Sequence, residues 1–325
     1  MKKFKAVFLQ QEPSSGNIDY VYSPEQKAVI AGISDLYDGV AGPEDIAAGR
    51  LKEVEVIFST WGMINFTPEQ LAAMPGLKAV FYAAGATDYF IRPLLASGIH
   101  VYSAWRANAI PVAEFCVAQI LLGMKGYFRA SRELTGPGRF NHSLAGCGNY
   151  GGTVALIGAG AISAKVQELL KNFNLNVTVV PSRKENRTVS LEEAFARANV
   201  VSNHLPDRDD NAGVLDGKLF RSMPEGAVFI NTGRGRQVNE AELIQVLKER
   251  SDLTALLDVT YPEPPAEGSE LYSLPNVVLS PHIAGSINDE VHRMADYMID
   301  EYKRFAAGEK CLYEVNESIL ITSKR

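Results

Sequence analysis

The sequence predicts an α/β protein built from two Rossmann-like, doubly wound parallel-sheet domains with a cleft between them. Three observations lead there. Short apolar runs alternate with amphipathic stretches at 3.6-residue spacing, the mark of βαβ units. A polar, glycine-rich connection over Thr135 to Gly152 interrupts this rhythm, which restarts at Thr153. The length, 325 residues, suits two domains.

In the first third, Phe4 to Leu9, Val54 to Ser59, Leu77 to Ala83 and Ile99 to Ser103 read as strands. Pro24 to Ile33 and Thr67 to Met74 read as helices. The apolar stretch from Ile110 to Leu134 follows, with Pro111 suited to a first helical turn and no breaker before Gly123 and Gly126. It is expected to be a helix joining the domains.

Six strands are expected in the second domain: Thr153 to Ile157, Asn176 to Val180, Val200 to Asn203, Ala227 to Asn231, Leu253 to Asp258 and Val277 to Ser280. They complete a sheet, so the amphipathic stretch from Ser286 to Ala307 is assigned to the first domain. The expected division is 1–110 with 287–325 as a discontinuous substrate-binding domain, and 111–286 as the NAD(P)-binding domain.

Composition removes several function classes. Thirty-eight acidic against thirty-two basic residues give a net charge of −6 and a pI near 5.5. That balance does not suit a protein that neutralises phosphate backbones, so no nucleic-acid partner is expected. No apolar run approaches the roughly 18 to 20 residues of a membrane helix, and only Ala6 to Leu9 precede Gln10, Gln11 and Glu12. Neither a membrane span nor a signal peptide is expected. Cys116, Cys147 and Cys311 are odd in number and far apart, which offers neither a disulfide framework nor metal-ligand spacing. A reducing, cytoplasmic setting and no metal follow.

Directly after the strand ending at Ile157 comes Gly158-Ala159-Gly160-Ala161-Ile162-Ser163, opening a helix with Val166, Leu169, Leu170 and Phe173 on one face. This is a dinucleotide fingerprint. Gly158 permits the tight turn, Gly160 lets backbone approach a pyrophosphate, and the amides at Ala161 and Ile162 offer donors at a helix start. The third glycine is replaced by Ser163. Some 20 residues on, where an acidic residue would bond the ribose hydroxyls of NAD, the chain reads Val180-Pro181-Ser182-Arg183-Lys184. Ser182, Arg183 and Lys184 could receive a 2′-phosphate, so the cofactor is NADP(H) or NAD(H), with preference for NADP(H).

Beyond three later strands stand Arg234, Glu263 and His282, where open α/β sheets place their ligands. Separately, each has an ordinary structural reading as a loop or core residue. Together they suit hydride chemistry on a 2-hydroxy acid. A histidine can take the hydroxyl proton or return it, a carboxylate can raise its pKa and orient its ring, and an arginine fork can grip a carboxylate and a carbonyl.

With Asn231-Thr232-Gly233-Arg234-Gly235, Asp258-Val259 with Glu263-Pro264, and Pro281-His282-Ile283-Ala284-Gly285, the chain resembles the D-isomer-specific 2-hydroxyacid dehydrogenases. That family includes phosphoglycerate dehydrogenase, glycerate and glyoxylate reductases, D-lactate dehydrogenase and formate dehydrogenase. The resemblance covers nearly the whole chain. It implies that Arg234 binds substrate, Glu263 supports His282 and His282 is the acid/base. It implies that Asp258 bonds the nicotinamide carboxamide, and that His204, Leu205, Pro206, Thr232, Gly233 and Ala284 line the cofactor. The substrate carboxylate is implied to sit on backbone amides of Ala84-Gly85-Ala86, with Trp61 facing the substrate. A homodimer through the helix after Ile110 is implied as well.

The expected function is hydride transfer between a nicotinamide cofactor and a small D-2-hydroxy acid or its 2-keto acid. Closure on hinges near Asn108 to Pro111 and Ala284 to Asn288 would exclude water. Tyr89, Trp105 and Arg106 are further candidates for the side-chain pocket. The alternative is a dinucleotide-sensing, corepressor-like binding protein of the same fold. A third reading is a chain whose Ser163 and Pro181 spoil cofactor binding.

Overall fold

The computed structural model describes residues 2–140, 142–317 and 320. They divide into two compact units, one comprising residues 2–108 with 286–317 and 320 and the other 109–140 with 142–285.

In the first unit, five parallel strands are linked by short helices: β1 (Lys5–Leu9), α1 (Asn17–Val21), α2 (Pro24–Ile33), β2 (Asp35–Ala41), α3 (Pro43–Ala47), β3 (Val56–Ser59), α4 (Pro68–Ala72), β4 (Ala79–Tyr82), α5 (Ile91–Ala96) and β5 (His100–Ser103). The strand order is β2-β1-β3-β4-β5, so the winding direction switches between β1 and β3. Sequence reading found four of these strands and missed β2. This edge strand is largely exposed and carries Asp35, Asp38 and Gly39, so it shows no apolar run. The short helices α1, α3 and α5 were missed too, being too brief to display a helical period.

Helix α6 (Trp105–Met124) begins five residues before the expected Ile110, so Pro111 lies inside the helix rather than in its first turn. By length and composition α6 could cross a membrane, contrary to the expectation that no such run exists; Arg106, Asn108 and Glu114 had broken up its apolar signal. About half of this apolar stretch is buried inside the protein. Val112, Ala113, Cys116, Ile120 and Met124 pack on Val154, Leu156, Val200, Val228 and Ile230. Gly123 allows this approach, because a Cβ there would lie 3.2 Å from Val228 and 3.3 Å from Val200. Helix α7 (Tyr127–Glu133) follows.

The second unit contains β6 (Tyr150–Ile157), α8 (Ala161–Leu170), β7 (Asn174–Val180), α9 (Leu191–Arg197), β8 (Val200–Asn203), α10 (Gly217–Ser222), β9 (Val228–Asn231), α11 (Glu240–Glu249), β10 (Thr254–Leu257) and β11 (Val277–Leu279). All six strands are parallel, in the order β11-β10-β9-β8-β6-β7, with the switch between β6 and β8. The chain then forms α12 (Val291–Ala307), whose Val291, Met294, Ala295, Met298 and Tyr302 join Phe4, Phe8, Phe58 and Phe81 in the core of the first unit. Both units are doubly wound α/β sheets. Cys116, Cys147 and Cys311 are free thiols, and among the described residues no cluster could hold a metal ion.

Candidate active site

At the switch point of the second unit, Gly158 closes the turn after β6 with φ of 114°, a conformation that disfavours any side chain. A Cβ there would come within 2.3 Å of the carbonyl oxygen of His204, so the loops after β6 and β8 meet backbone to backbone. The first amides of α8 follow, and amides in a first helical turn have no partner within the helix. This cradle fits a pyrophosphate. Ser163, in the third-glycine position, is fully buried at the helix–strand seam, and among the described residues its Oγ has no hydrogen-bond partner. His204 is 7% exposed, and among the described residues neither ring nitrogen has a hydrogen-bond partner. Burial drives its pKa down to about 4, which keeps it neutral at physiological pH.

Behind this cradle lies a cluster that sequence reasoning missed. Asn203 donates through Nδ2 to Gln237 Oε1 at 2.6 Å and to Asn231 Oδ1 at 2.9 Å. Gln237 Nε2 donates to the Leu205 carbonyl at 2.6 Å, and its Oε1 also accepts from the Arg234 backbone N–H at 3.1 Å. Asn203 Oδ1 accepts from Leu205 N–H, and Asn231 Oδ1 from Gly233 N–H. All three amide side chains are buried. The cluster therefore ties the Leu205-Pro206 loop to the Thr232-Gly233-Arg234 loop. Gly233 leaves it room, since a Cβ would lie 2.7 Å from Gln237 Oε1. The Arg234 guanidinium is oriented by an Nη1 bond to the Gly233 carbonyl at 2.8 Å. Thr232 is buried, with its hydroxyl 3.3 Å from the Cys116 thiol, and burial pushes that thiol up to about 11. Inert thiols of this kind are structural.

At the ends of β10 and β11, Glu263 Oε1 and His282 Nδ1 are 2.5 Å apart. Their side chains are 40% and 49% exposed, so the pair is open to a reactant. His282 sits at φ of 55°, an uncommon left-handed conformation for a residue with a side chain. Its N–H donates to the Asp258 and Ser280 carbonyls. Asp258 is 4% exposed, and its carboxylate accepts from Ser280 Oγ at 2.6 Å and from the Ile283 and Ala284 N–H groups, each at 2.9 Å. In this structure Asp258 thus anchors the loop that carries His282.

In the loop after β7, Arg187 was also missed. Its Nε donates to the Pro181 carbonyl and its Nη2 to the Ser182 carbonyl, each at 2.8 Å, fixing the Pro181-Ser182-Arg183 turn. Arg183 lies within electrostatic reach of Asp210, whose carboxyl is held below the usual carboxylate range mainly by its hydrogen bonds with Arg208.

In the first unit, Ser103 Oγ donates to the Ala84 and Gly85 carbonyls, both at 2.8 Å. The Ala84 N–H is engaged by the Tyr82 carbonyl. Among the described residues the Gly85 and Ala86 N–H groups have no protein acceptor, which leaves two adjacent donors of the three amides expected. Trp61 follows β3 and is 37% exposed.

A family profile described as the NAD binding domain of the D-isomer specific 2-hydroxyacid dehydrogenases matches residues 117–284, just over half of the chain. The chain belongs to this family. It is 32% identical over 262 residues to YoaD of Bacillus subtilis, which carries a 2-hydroxyacid dehydrogenase name, covering 76% of each chain. It is 27% identical over 319 residues to the glycerate dehydrogenase of Methylorubrum extorquens, covering 94% of this chain and 97% of the relative. The D-mandelate dehydrogenase of Rhodotorula graminis superposes over the full length of both chains with a TM-score of 0.78 at 19% identity, a likeness that shows the fold. Membership makes this dehydrogenase a nicotinamide-dependent oxidoreductase of 2-hydroxy acids.

Gln237→Leu strands the Arg234 N–H and the Leu205 carbonyl and leaves Asn203 Nδ2 with Asn231 Oδ1 alone. Urea unfolding should show a loss of about 2 kcal/mol, and calorimetric titration a several-fold weaker affinity for the dinucleotide. Lost stability with unchanged affinity would restrict the cluster to holding the fold.

Proposed function

We propose that the dehydrogenase interconverts small D-2-hydroxy acids and 2-keto acids, with His282 as acid/base, Glu263 supporting it and Arg234 binding the substrate carboxylate and carbonyl. The observation that carries this reading is the accessible Glu263–His282 pair, 2.5 Å apart at the carboxyl end of the second sheet. The second unit would bind the dinucleotide through Gly158, Gly160, Ala161, Ile162, the Pro181-Ser182-Arg183 turn, His204-Leu205-Pro206, Thr232-Gly233, Asp258 and Ala284. The first unit would bind the substrate, its carboxylate on the Gly85 and Ala86 amides.

When bound, the cofactor supplies hydride to the keto carbon or takes it back. A Nδ1–H···Glu263 bond leaves His282 Nε2 as the site that gives a proton to the carbonyl oxygen in reduction and takes it from the hydroxyl in oxidation. Glu263 fixes the orientation of the imidazole ring through this bond. The remaining donors of Arg234 polarise the carbonyl and hold the carboxylate.

Arg187 supports the preference for NADP(H), because it holds the turn that presents Ser182 and Arg183. Pairing with a second copy through α6, α7 and the following connection is supported by exposed Leu122, Tyr127, Leu134, Phe140 and Tyr150.

The deciding experiment follows reduced-nicotinamide absorbance with glyoxylate, hydroxypyruvate and pyruvate. We expect kcat/KM at least about tenfold higher with NADPH than with NADH, about 1.4 kcal/mol of discrimination; a preference for NADH refutes the role given to Ser182 and Arg183. His282→Ala should lower kcat by at least about a hundredfold, and near wild-type kcat would remove His282 from the mechanism. Arg234→Lys keeps the charge and loses the fork, so kcat/KM should fall about tenfold, the scale of one charge-assisted hydrogen bond. Unchanged efficiency would contradict a bidentate grip.

A further inference from the structure

We propose that the substrate is a 2-keto acid or D-2-hydroxy acid with a bulky, uncharged apolar side chain, and not one bearing a phosphate. The inference rests on the reading above, that the first unit binds substrate. In that unit, the switch point lies between β1 and β3, and the loops leaving their carboxyl ends are fastened together there. Gln10 Nε2 and Asn17 Nδ2 donate to the Trp61 carbonyl at 2.7 and 3.1 Å, and Gln11 N–H donates to the Gly62 carbonyl at 2.8 Å. Gly62, at φ of 86°, completes the turn. Thr60 Oγ1 bonds the Ala83 carbonyl at 2.8 Å, which sets Trp61 beside the strand end that leads into Gly85 and Ala86.

With its backbone so held, the Trp61 indole stays 37% exposed, and the Tyr20 ring, 42% exposed, lies 6.4 Å from it. Tyr20 is fixed in turn, its hydroxyl accepting from the Asn288 N–H at 2.7 Å. Two positioned, open aromatic rings beside two free amides form an apolar wall next to a carboxylate site.

Charge separates the substrate classes. The segments 10–23, 60–67 and 83–91, which follow β1, β3 and β4, contain no lysine or arginine, and they carry Glu12, Asp19 and Asp88. A phosphate dianion placed there would lose hydration with no cationic partner in any of these loops, which is costly. Of the neighbouring cations, Arg106 stacks over Trp105 at 4.9 Å, Lys27 pairs with Asp19, and Arg92 and Arg293 belong to α5 and α12.

The test measures kcat/KM of the full-length enzyme with NADPH and NADH against phenylpyruvate, 4-methyl-2-oxopentanoate, glyoxylate and 3-phosphohydroxypyruvate. Phenylpyruvate or 4-methyl-2-oxopentanoate should exceed 3-phosphohydroxypyruvate by at least about a hundredfold. Trp61→Ala should lower the phenylpyruvate-to-glyoxylate ratio by at least about tenfold, and Trp61→Phe should keep it within about threefold. Equal or better use of 3-phosphohydroxypyruvate, or a ratio untouched by Trp61→Ala, overturns the inference while turnover of glyoxylate leaves the underlying reading intact. No oxidation of either cofactor with any of the four would overturn that reading, and this inference with it.

Discussion

The second unit is organised by the contact between the loops after β6 and β8, where Gly158 lies directly against the His204 carbonyl. Only a residue without a side chain allows it, and the left-handed backbone at Gly158 requires the same residue. This contact aims the start of α8 at the end of the sheet. From His204 the constraint passes through Asn203 to Asn231 and Gln237, so the loop after β9 is held by hydrogen bonds to the loop after β8. Buried amides are costly unless paired, and here each is paired.

A parallel device holds the other side of the site. Asp258, buried at the end of β10, accepts three hydrogen bonds from the segment that carries His282. With its backbone pinned in a strained conformation, the His282 ring meets Glu263 at an exposed edge while the anchor stays dry. Rigid support beneath an open side chain is what acid/base chemistry needs, because proton transfer depends on geometry before it depends on pKa.

The five strands of the first unit repeat the order of the first five strands of the second, with different loops. Its strand ends carry small residues and aromatic rings in place of a fingerprint turn, and Ser103 and Thr60 use hydroxyl groups to fix the Ala83, Ala84 and Gly85 carbonyls. One sheet topology thus supports two kinds of surface, an anion cradle built on a helix start and an apolar wall beside two amides.

The sequence by itself determined the α/β class, the strands buried on both faces, the fingerprint turn and the family motifs around Arg234, Glu263 and His282. Each of these leaves a local mark: an apolar run, a glycine that must adopt a special backbone, or a fixed spacing. Tertiary structure decided the rest. The edge strand β2, the helix start at Trp105, the amide cluster of Asn203, Asn231 and Gln237, and the clasp of Arg187 on Pro181 and Ser182 could not be read in advance. The amide partners lie about thirty residues apart, Arg187 closes on a turn only five and six residues back, and a polar side chain in a short run looks the same whether it meets water or a buried hydrogen bond. The same holds for Trp61, whose carbonyl is held by distant Gln10 and Asn17.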